Sequence, residues 1–195
     1  MNYAILGISG KAHSGKTTAY EAVKEIIPQN GYKIYYIPLA AKLKDIAEDL
    51  FGWDGDKSLY TNEDGSMDRT RGRGLLIEIG RFARGIKGTI WVDYVSKKIL
   101  NSIQDPSFNN TIFIIDDIRY KNEMSTLSKF GKKFVSVRLS RKSQLLLDTE
   151  SEKDLDDFND FDYFIDNNGT KEQLAEILNT VVEDTISRSK GRIHA

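Results

Sequence analysis

Eight consecutive residues constrain this chain more than any others. Gly10-Lys11-Ala12-His13-Ser14-Gly15-Lys16-Thr17 fits G-x-x-x-x-G-K-[ST] without a gap. The flanks agree with it: Tyr3 to Ser9 is a short apolar run suited to a buried strand, and Ala19, Ala22, Val23, Ile26 and Ile27 recur at helical spacing before Pro28, which is expected to end the helix. Strand, glycine-bearing loop and helix in that order form a phosphate cradle. Gly10 and Gly15 let successive N–H groups, from Lys11 to Thr18, converge on phosphate oxygens, and the helix starting near Lys16 adds its positive dipole end. Lys16 suits the β- and γ-phosphates, and the Thr17 hydroxyl suits Mg²⁺. A dinucleotide fingerprint is excluded, because Gly7, Gly10 and Gly15 are wrongly spaced for it.

The rest of the chain alternates strands with helices. Lys33 to Ile37, Thr111 to Ile115, Lys133 to Leu139 and Tyr163 to Ile165 read as further strands. Helices are expected through Leu43 to Phe51 (stopped at Gly52), Leu75 to Ala83, Thr89 to Ile103, Asn122 to Phe130 and Thr170 to Ser187. Trp53 to Asp68 is polar and turn-rich, hence a loop, and Arg188 to Ala195 reads as a frayed tail. The pattern predicts an α/β fold: a parallel five-stranded sheet with helices on both faces, in a P-loop nucleotide-binding arrangement. Without repeat or linker, residues 1–195 read as one domain.

Composition removes several function classes. The 195 residues include no Cys, so disulfides, thiolate nucleophiles and zinc ribbons are excluded. Two isolated histidines make no metal cluster: the His13 N–H serves phosphate, and His194 has no role. No run reaches the roughly 20 apolar residues of a membrane span, and the N-terminus lacks the basic region of a signal peptide. A cytoplasmic protein is expected. The net charge of -1 gives no general pull towards nucleic acid or membrane.

That charge is unevenly spread. Asp148 to Asp166 holds nine acids and one base, which reads as a solvated face. Arg69 to Lys87 holds six bases against Glu78 alone, and five of the six are arginines, whose planar fork suits phosphate. An anion site and an exposed basic face are both open readings there. At the end of the third strand stand Asp116-Asp117, where an acid can hold Mg²⁺ directly or through water.

Asp117-Ile-Arg-Tyr-Lys-Asn-Glu123 resembles the D-x-R-x-x-N-E run of bacteriophage-type deoxynucleoside monophosphate kinases. Leu43-Lys-Asp-Ile-Ala-Glu-Asp-Leu-Phe-Gly52 is similar to that family's L-K-x-x-A-x-x-L-F-G. Leu75 to Gly80 with Arg84 and Ile90-Trp-Val92, Ser151-Glu-Lys-Asp-Leu-Asp156, and Phe161 to Gly169 match further segments in the same order. The sequence departs from the pattern at Lys42, at Thr149, between Gly80 and Arg84, and at Arg138-Leu-Ser-Arg141.

The resemblance implies ATP-dependent phosphoryl transfer, with Mg²⁺, to a small-molecule (deoxy)nucleoside monophosphate, in a monomer or homodimer, within the host cytoplasm if the chain is phage-encoded. It implies catalytic roles for Lys16, Arg84, Asp117, Arg119 and a lid arginine, Arg141 or Arg138. It also implies an acceptor segment over about 40–92, comprising Lys44, Arg71, Arg84 and Trp91 together with Asp117, Arg119 and Glu123, and a lid over about 139–160. Trp91 reads more readily as core than as part of the acceptor site, and Glu123 either as a residue that orients Arg119 from four positions away or as half of a surface ion pair. Thr17 and Asp117 are the expected Mg²⁺ ligands. Other small P-loop kinases, of the dephospho-coenzyme A or phosphomevalonate type, and a non-catalytic nucleotide switch remain alternatives.

Overall fold

The computed structural model describes residues 1–142 and 149–191. Five parallel strands form one sheet: β1 (Tyr3–Gly10), β2 (Lys33–Tyr36), β3 (Thr111–Ile118), β4 (Phe134–Ser140) and β5 (Tyr163–Asp166), in the order β2-β3-β1-β4-β5. The helices are α1 (Lys16–Gln29), α2 (Ala41–Phe51), α3 (Gly72–Ile86), α4 (Ile90–Ser102), α5 (Lys121–Leu127), the short α6 (Glu150–Lys153) and α7 (Lys171–Ser189). The expected parallel α/β architecture is the one found.

Period-two alternation builds two apolar layers. Ala4, Leu6, Ile8, Ile112, Ile114, Val135 and Val137 face α1 and α7, meeting Val23, Ile27, Leu178 and Val182. Ile5, Phe113, Ile115 and Phe134 face the other way, against Val92, Val95 and Ile99 of α4 and Met124 and Leu127 of α5. Strands covered on both faces account for the continuous apolar runs of β1 and β3. Each fully buried Ile or Leu side chain contributes about 1.5–3 kcal/mol, so both layers are needed to hold the sheet.

Several boundaries differ from expectation. Pro28 lies inside the last turn of α1; its missing N–H forfeits one bond, and the turn is closed by Asn30, whose N–H bonds Ile27, and by Gly31, whose N–H bonds Pro28. The helix expected to reach Phe130 gives way to a 3₁₀ turn over Ser128–Lys133. α7 runs on to Ser189 instead of fraying at Arg188. The Arg188 guanidinium meets Asp162 at 2.8 Å and Asp184 at 2.9 Å, and the Ser189 hydroxyl shares a 2.7 Å hydrogen bond with Tyr32. Of the expected tail, 192–195 lie outside the described residues, as does 143–148 of the expected lid. Among the described residues no helix is long and apolar enough to cross a membrane.

Most acids of the acidic stretch are exposed, as a solvated face requires, with Glu152 as the buried exception. Asp156 pairs with Lys11 at 2.7 Å, Asp157 pairs with Lys121 at 2.7 Å, and Asp162 accepts from Ser136 and Arg188. Several of its charges thus meet cations from distant parts of the chain, Lys11, Lys121 and Arg188. Sequence spacing carries no sign of those partners.

Candidate functional site

The loop between β1 and α1 wraps the N-terminus of α1. Gly15 adopts φ 99°, and a Cβ there would lie 2.1 Å from the Asn167 amide, so only glycine fits. That amide, placed by the end of β5, donates to the Ser14 carbonyl at 3.0 Å and braces the loop from beneath. Lys16 Nζ donates to the carbonyls of Gly10 (2.7 Å) and Lys11 (3.1 Å), and stands 3.5 Å from Asp117. Burial, and then the charge of Arg119, bring the Lys16 ammonium down to about 8, against the pull of Asp117 and Glu152.

The end of β3 carries an irregularity the sequence does not announce. Gly7 of β1 pairs with Ile115, but Ser9 pairs with Ile118, so β3 holds one extra residue there. Asp117 takes a left-handed φ of 60°. A regular strand would send Asp116 and Asp117 to opposite faces; with the bulge, both line the same cavity. Asp116 accepts from the Tyr36 hydroxyl at 2.7 Å, while its other oxygen is buried without a partner. Burial and the neighbouring Asp117 push the Asp116 carboxyl up. Asp117, although burial opposes its charge, is held down by Lys16, Arg119 and Lys44.

Arg119 follows immediately. Its guanidinium donates to Glu152 of α6 at 2.5 Å and to Asp117 at 3.3 Å. Glu123 does not meet that guanidinium. Its buried carboxylate instead accepts the backbone N–H of Arg119 at 2.8 Å and of Tyr120 at 3.1 Å, as an acid in the first turn of α5 can. The expected orienting role is thus exerted on the main chain. Burial, outweighing those bonds and the nearby Arg84 and Arg119, pushes the Glu123 carboxyl up to about 7.

A cavity of about 940 Å³ joins these groups. Ala12, His13, Gly15, Lys16 and Thr17 line it together with Lys44, Arg73, Arg84 and Trp91; Asp116, Asp117, Arg119, Tyr120, Glu123 and Glu152 also contribute. Gly10 at the end of β1, Lys11 and Ser14 of the loop and Thr18 of α1 do not line this space. The Arg84 guanidinium stacks 4.3 Å from the centre of the Tyr120 ring. Trp91 is both core and wall: it is buried, yet it borders the cavity, and its indole N–H has no partner.

Arg71 does not join them. It is exposed, pairs with Asp68 at 2.9 Å and stacks on Tyr60, whereas Arg73, which the sequence did not single out, reaches the cavity. Arg69 and Arg81 are both spent on Glu78, and Lys87 on Asp93. The basic segment therefore supplies two arginines to the cavity rather than a continuous face. Arg141 is exposed and outside the cavity lining; Arg138 bonds Ser9 at 2.8 Å and stands 3.5 Å from Asp156. The residues that sequence reasoning passed over are Tyr36, Arg73, Tyr120, Glu152 and Asn167. Of these only Glu152 had a local signal, as the acid of the S-E-x-x-L-D segment.

The donor set fits Mg²⁺ held alongside a nucleotide. The Thr17 hydroxyl and Asp117 border the cavity, and Asp116 offers an unpaired carboxylate oxygen beside them. Among the described residues no three His, Cys, Asp or Glu side chains group to hold a metal, so such an ion would also need phosphate oxygens.

No protein-family model matches the chain, and no curated protein matches it. Among solved structures it is similar to an unliganded sugar kinase from Janibacter sp., with a TM-score of 0.54 and 12% identity, over 98% of this chain and 99% of that one. TT1252 from Thermus thermophilus matches at a TM-score of 0.47 and 17% identity, over 94% and 98% of the two chains, below the level that argues a shared fold. The first likeness concerns the fold alone, a parallel α/β sheet with helices on both faces.

Proposed function

We propose that this protein is an ATP-dependent kinase that transfers the γ-phosphoryl group to the phosphate of a (deoxy)nucleoside 5′-monophosphate, giving the diphosphate and ADP. The reading is carried by one observation: the cavity that begins at Lys16 and Thr17 continues without a break to a second group of cations, Lys44, Arg73 and Arg84. A nucleotide switch needs the first group and not the second.

The acceptor phosphate has a second pKa of about 6 and is largely dianionic at neutral pH, so no strong base is needed. What the reaction needs is two polyanions aligned and their repulsion relieved. Lys16 serves the donor phosphates, Arg84 and Lys44 the acceptor, and Arg119 lies between, against Asp117. Mg²⁺ held with ATP by Thr17 and Asp117 would neutralise further phosphate charge. The left-handed backbone at Asp117 directs its carboxylate to this junction.

A second reading has its own support. The similar Janibacter protein is described as a sugar kinase, and Asp116 and Asp117 are two carboxylates at the junction, where a hydroxyl acceptor would want a base. ADP formation measured with ATP and Mg²⁺ against a panel of deoxynucleoside monophosphates, ribonucleoside monophosphates and sugars separates them. Strong stimulation by a monophosphate, absent in Lys16→Ala, supports the proposal. Stimulation by a sugar alone replaces it, and hydrolysis of equal speed without any acceptor replaces both.

A further inference from the structure

Glu152 is the least expected member of the cavity wall. It sits on α6, a four-residue helix, and is 5% exposed. Both of its oxygens are committed: Oε2 accepts the backbone N–H of Ala12 at 3.0 Å, and Oε1 accepts the Arg119 guanidinium at 2.5 Å. From Arg119 the contacts continue to Asp117 at 3.3 Å, and from Asp117 to Lys16 at 3.5 Å. The path leaves the phosphate-binding loop at Ala12 and returns to it at Lys16.

The charges along this path balance. Lys16 and Arg119 are cations close enough for Arg119 to weaken the protonation of Lys16, and Asp117 stands between them as a shared counter-charge. Asp117 alone cannot hold both. Arg119 lies 3.3 Å from Asp117 but 2.5 Å from Glu152, which makes the shorter contact from the other side. When phosphates or Mg²⁺ draw Asp117 away, Glu152 retains Arg119.

On the phosphotransfer reading given above, we propose that Glu152 is a positioning residue that acts through Arg119. It fixes the guanidinium against the phosphate-binding loop, so that Arg119 meets the phosphoryl group in transit. The loop fixes Glu152 in turn through the Ala12 N–H, which makes the arginine's place depend on a correctly formed cradle.

The test is a double-mutant cycle of Glu152→Gln and Arg119→Ala in the full chain, read as kcat and both KM values together with thermal midpoints. Glu152→Gln is expected to lower kcat about ten- to a hundred-fold, the range for losing a charged hydrogen bond, with little change in either KM. In the Arg119→Ala background the same substitution should cost almost nothing more. Asp156→Asn serves as the comparison, since Asp156 ties the same segment to Lys11 and touches Arg119 nowhere; its effect should multiply with that of Arg119→Ala. If the Glu152 and Arg119 effects also multiply, Glu152 merely holds the segment down, and the inference is overturned. Tighter ATP binding by Glu152→Gln would overturn it too, by making the carboxylate a competitor of phosphate. Where Glu152→Gln does not fold, Glu152→Asp enters the same cycle with the same two outcomes. Wild-type turnover with an acceptor tests phosphotransfer separately, so full activity in Arg119→Ala would sink this inference alone.

Discussion

Burial sets Glu123 against Asp117, two acids of one run with opposite shifts. Asp117 has cations for neighbours; Glu123 has mainly N–H groups and an apolar wall, and its carboxyl rises from an ordinary 4.5 to about 7. Between those values the folded chain keeps a proton that the unfolded chain has released, so Glu123 makes stability fall as pH rises through that window. Glu123→Gln keeps an oxygen for the Arg119 and Tyr120 N–H groups and removes the titration. The thermal midpoint of Glu123→Gln relative to wild type should climb between pH 4.5 and about 7 and level off above; parallel curves would show that Glu123 titrates normally. Arg84 poses a different question. Arg84→Ala should lower kcat/KM for the monophosphate about ten- to a hundred-fold while calorimetric ATP binding stays constant. Arg84→Lys should recover only part, because an ammonium reproduces neither the fork nor the stack on Tyr120. A collapse of ATP binding would assign Arg84 to the donor end. Lys16, Thr17, Asp117 and Arg119 were legible in the sequence because the motif and the strand end that carry them are local. Arg71 and Arg73 were not separable, since the choice between cavity and Asp68 is made by a loop fold. For Glu152 the S-E-x-x-L-D segment was visible but its place in the cavity wall was not, its Ala12 partner lying 140 positions away.

At the level of elements, the part of the cavity proposed for the acceptor depends on how α3 meets the loop before it. A Cβ at Gly74 would lie 1.8 Å from the Asp68 carbonyl, so the first turn of α3 and the end of the 53–71 loop touch backbone to backbone. That loop also sends Asp56, Lys57 and Ser58 to the cavity, and the Arg73 N–H bonds the Ser58 carbonyl at 2.9 Å. Gly74→Ala must push the loop outward. The expected result is a raised acceptor KM and a lower thermal midpoint, with ATP affinity retained, because the phosphate-binding loop rests on α1, β1 and Asn167 instead. Unchanged acceptor kinetics would show that the loop is only a cover. The alternation of strands and helices was readable because each element buries its own periodic face. The β3 bulge was not: it exists only in the register between β1 and β3, and Asp116 and Asp117 share a cavity because of it.

Across the whole molecule, the strand order puts the cavity where chain direction divides. β1 lies between β3 and β4; its following helix α1 covers one face, while the helix after β3, α5, covers the other. The crevice left at the strand ends is where open α/β sheets bind ligands, and here it receives loops from both faces. Its volume, about 940 Å³, lies at the upper end of the roughly 300–1,000 Å³ of a small-molecule pocket. Room of that size in one continuous space, cationic at both ends, suits two nucleotides meeting through their phosphates. A compound joining adenosine to the acceptor nucleoside through a five-phosphate chain should therefore bind far more tightly than ATP or the monophosphate alone. Linked anchors commonly gain about 10²–10⁴-fold. Calorimetry on wild type, Lys16→Ala and Arg84→Ala distinguishes the outcomes. In Arg84→Ala the advantage over ATP should shrink towards nothing while the adenosine end still binds; in Lys16→Ala both ligands should weaken. If the joined compound binds no better than ATP in the wild type, the two cationic ends do not serve one reaction, and the transfer of phosphate between nucleotides must give way to the hydroxyl-acceptor reading.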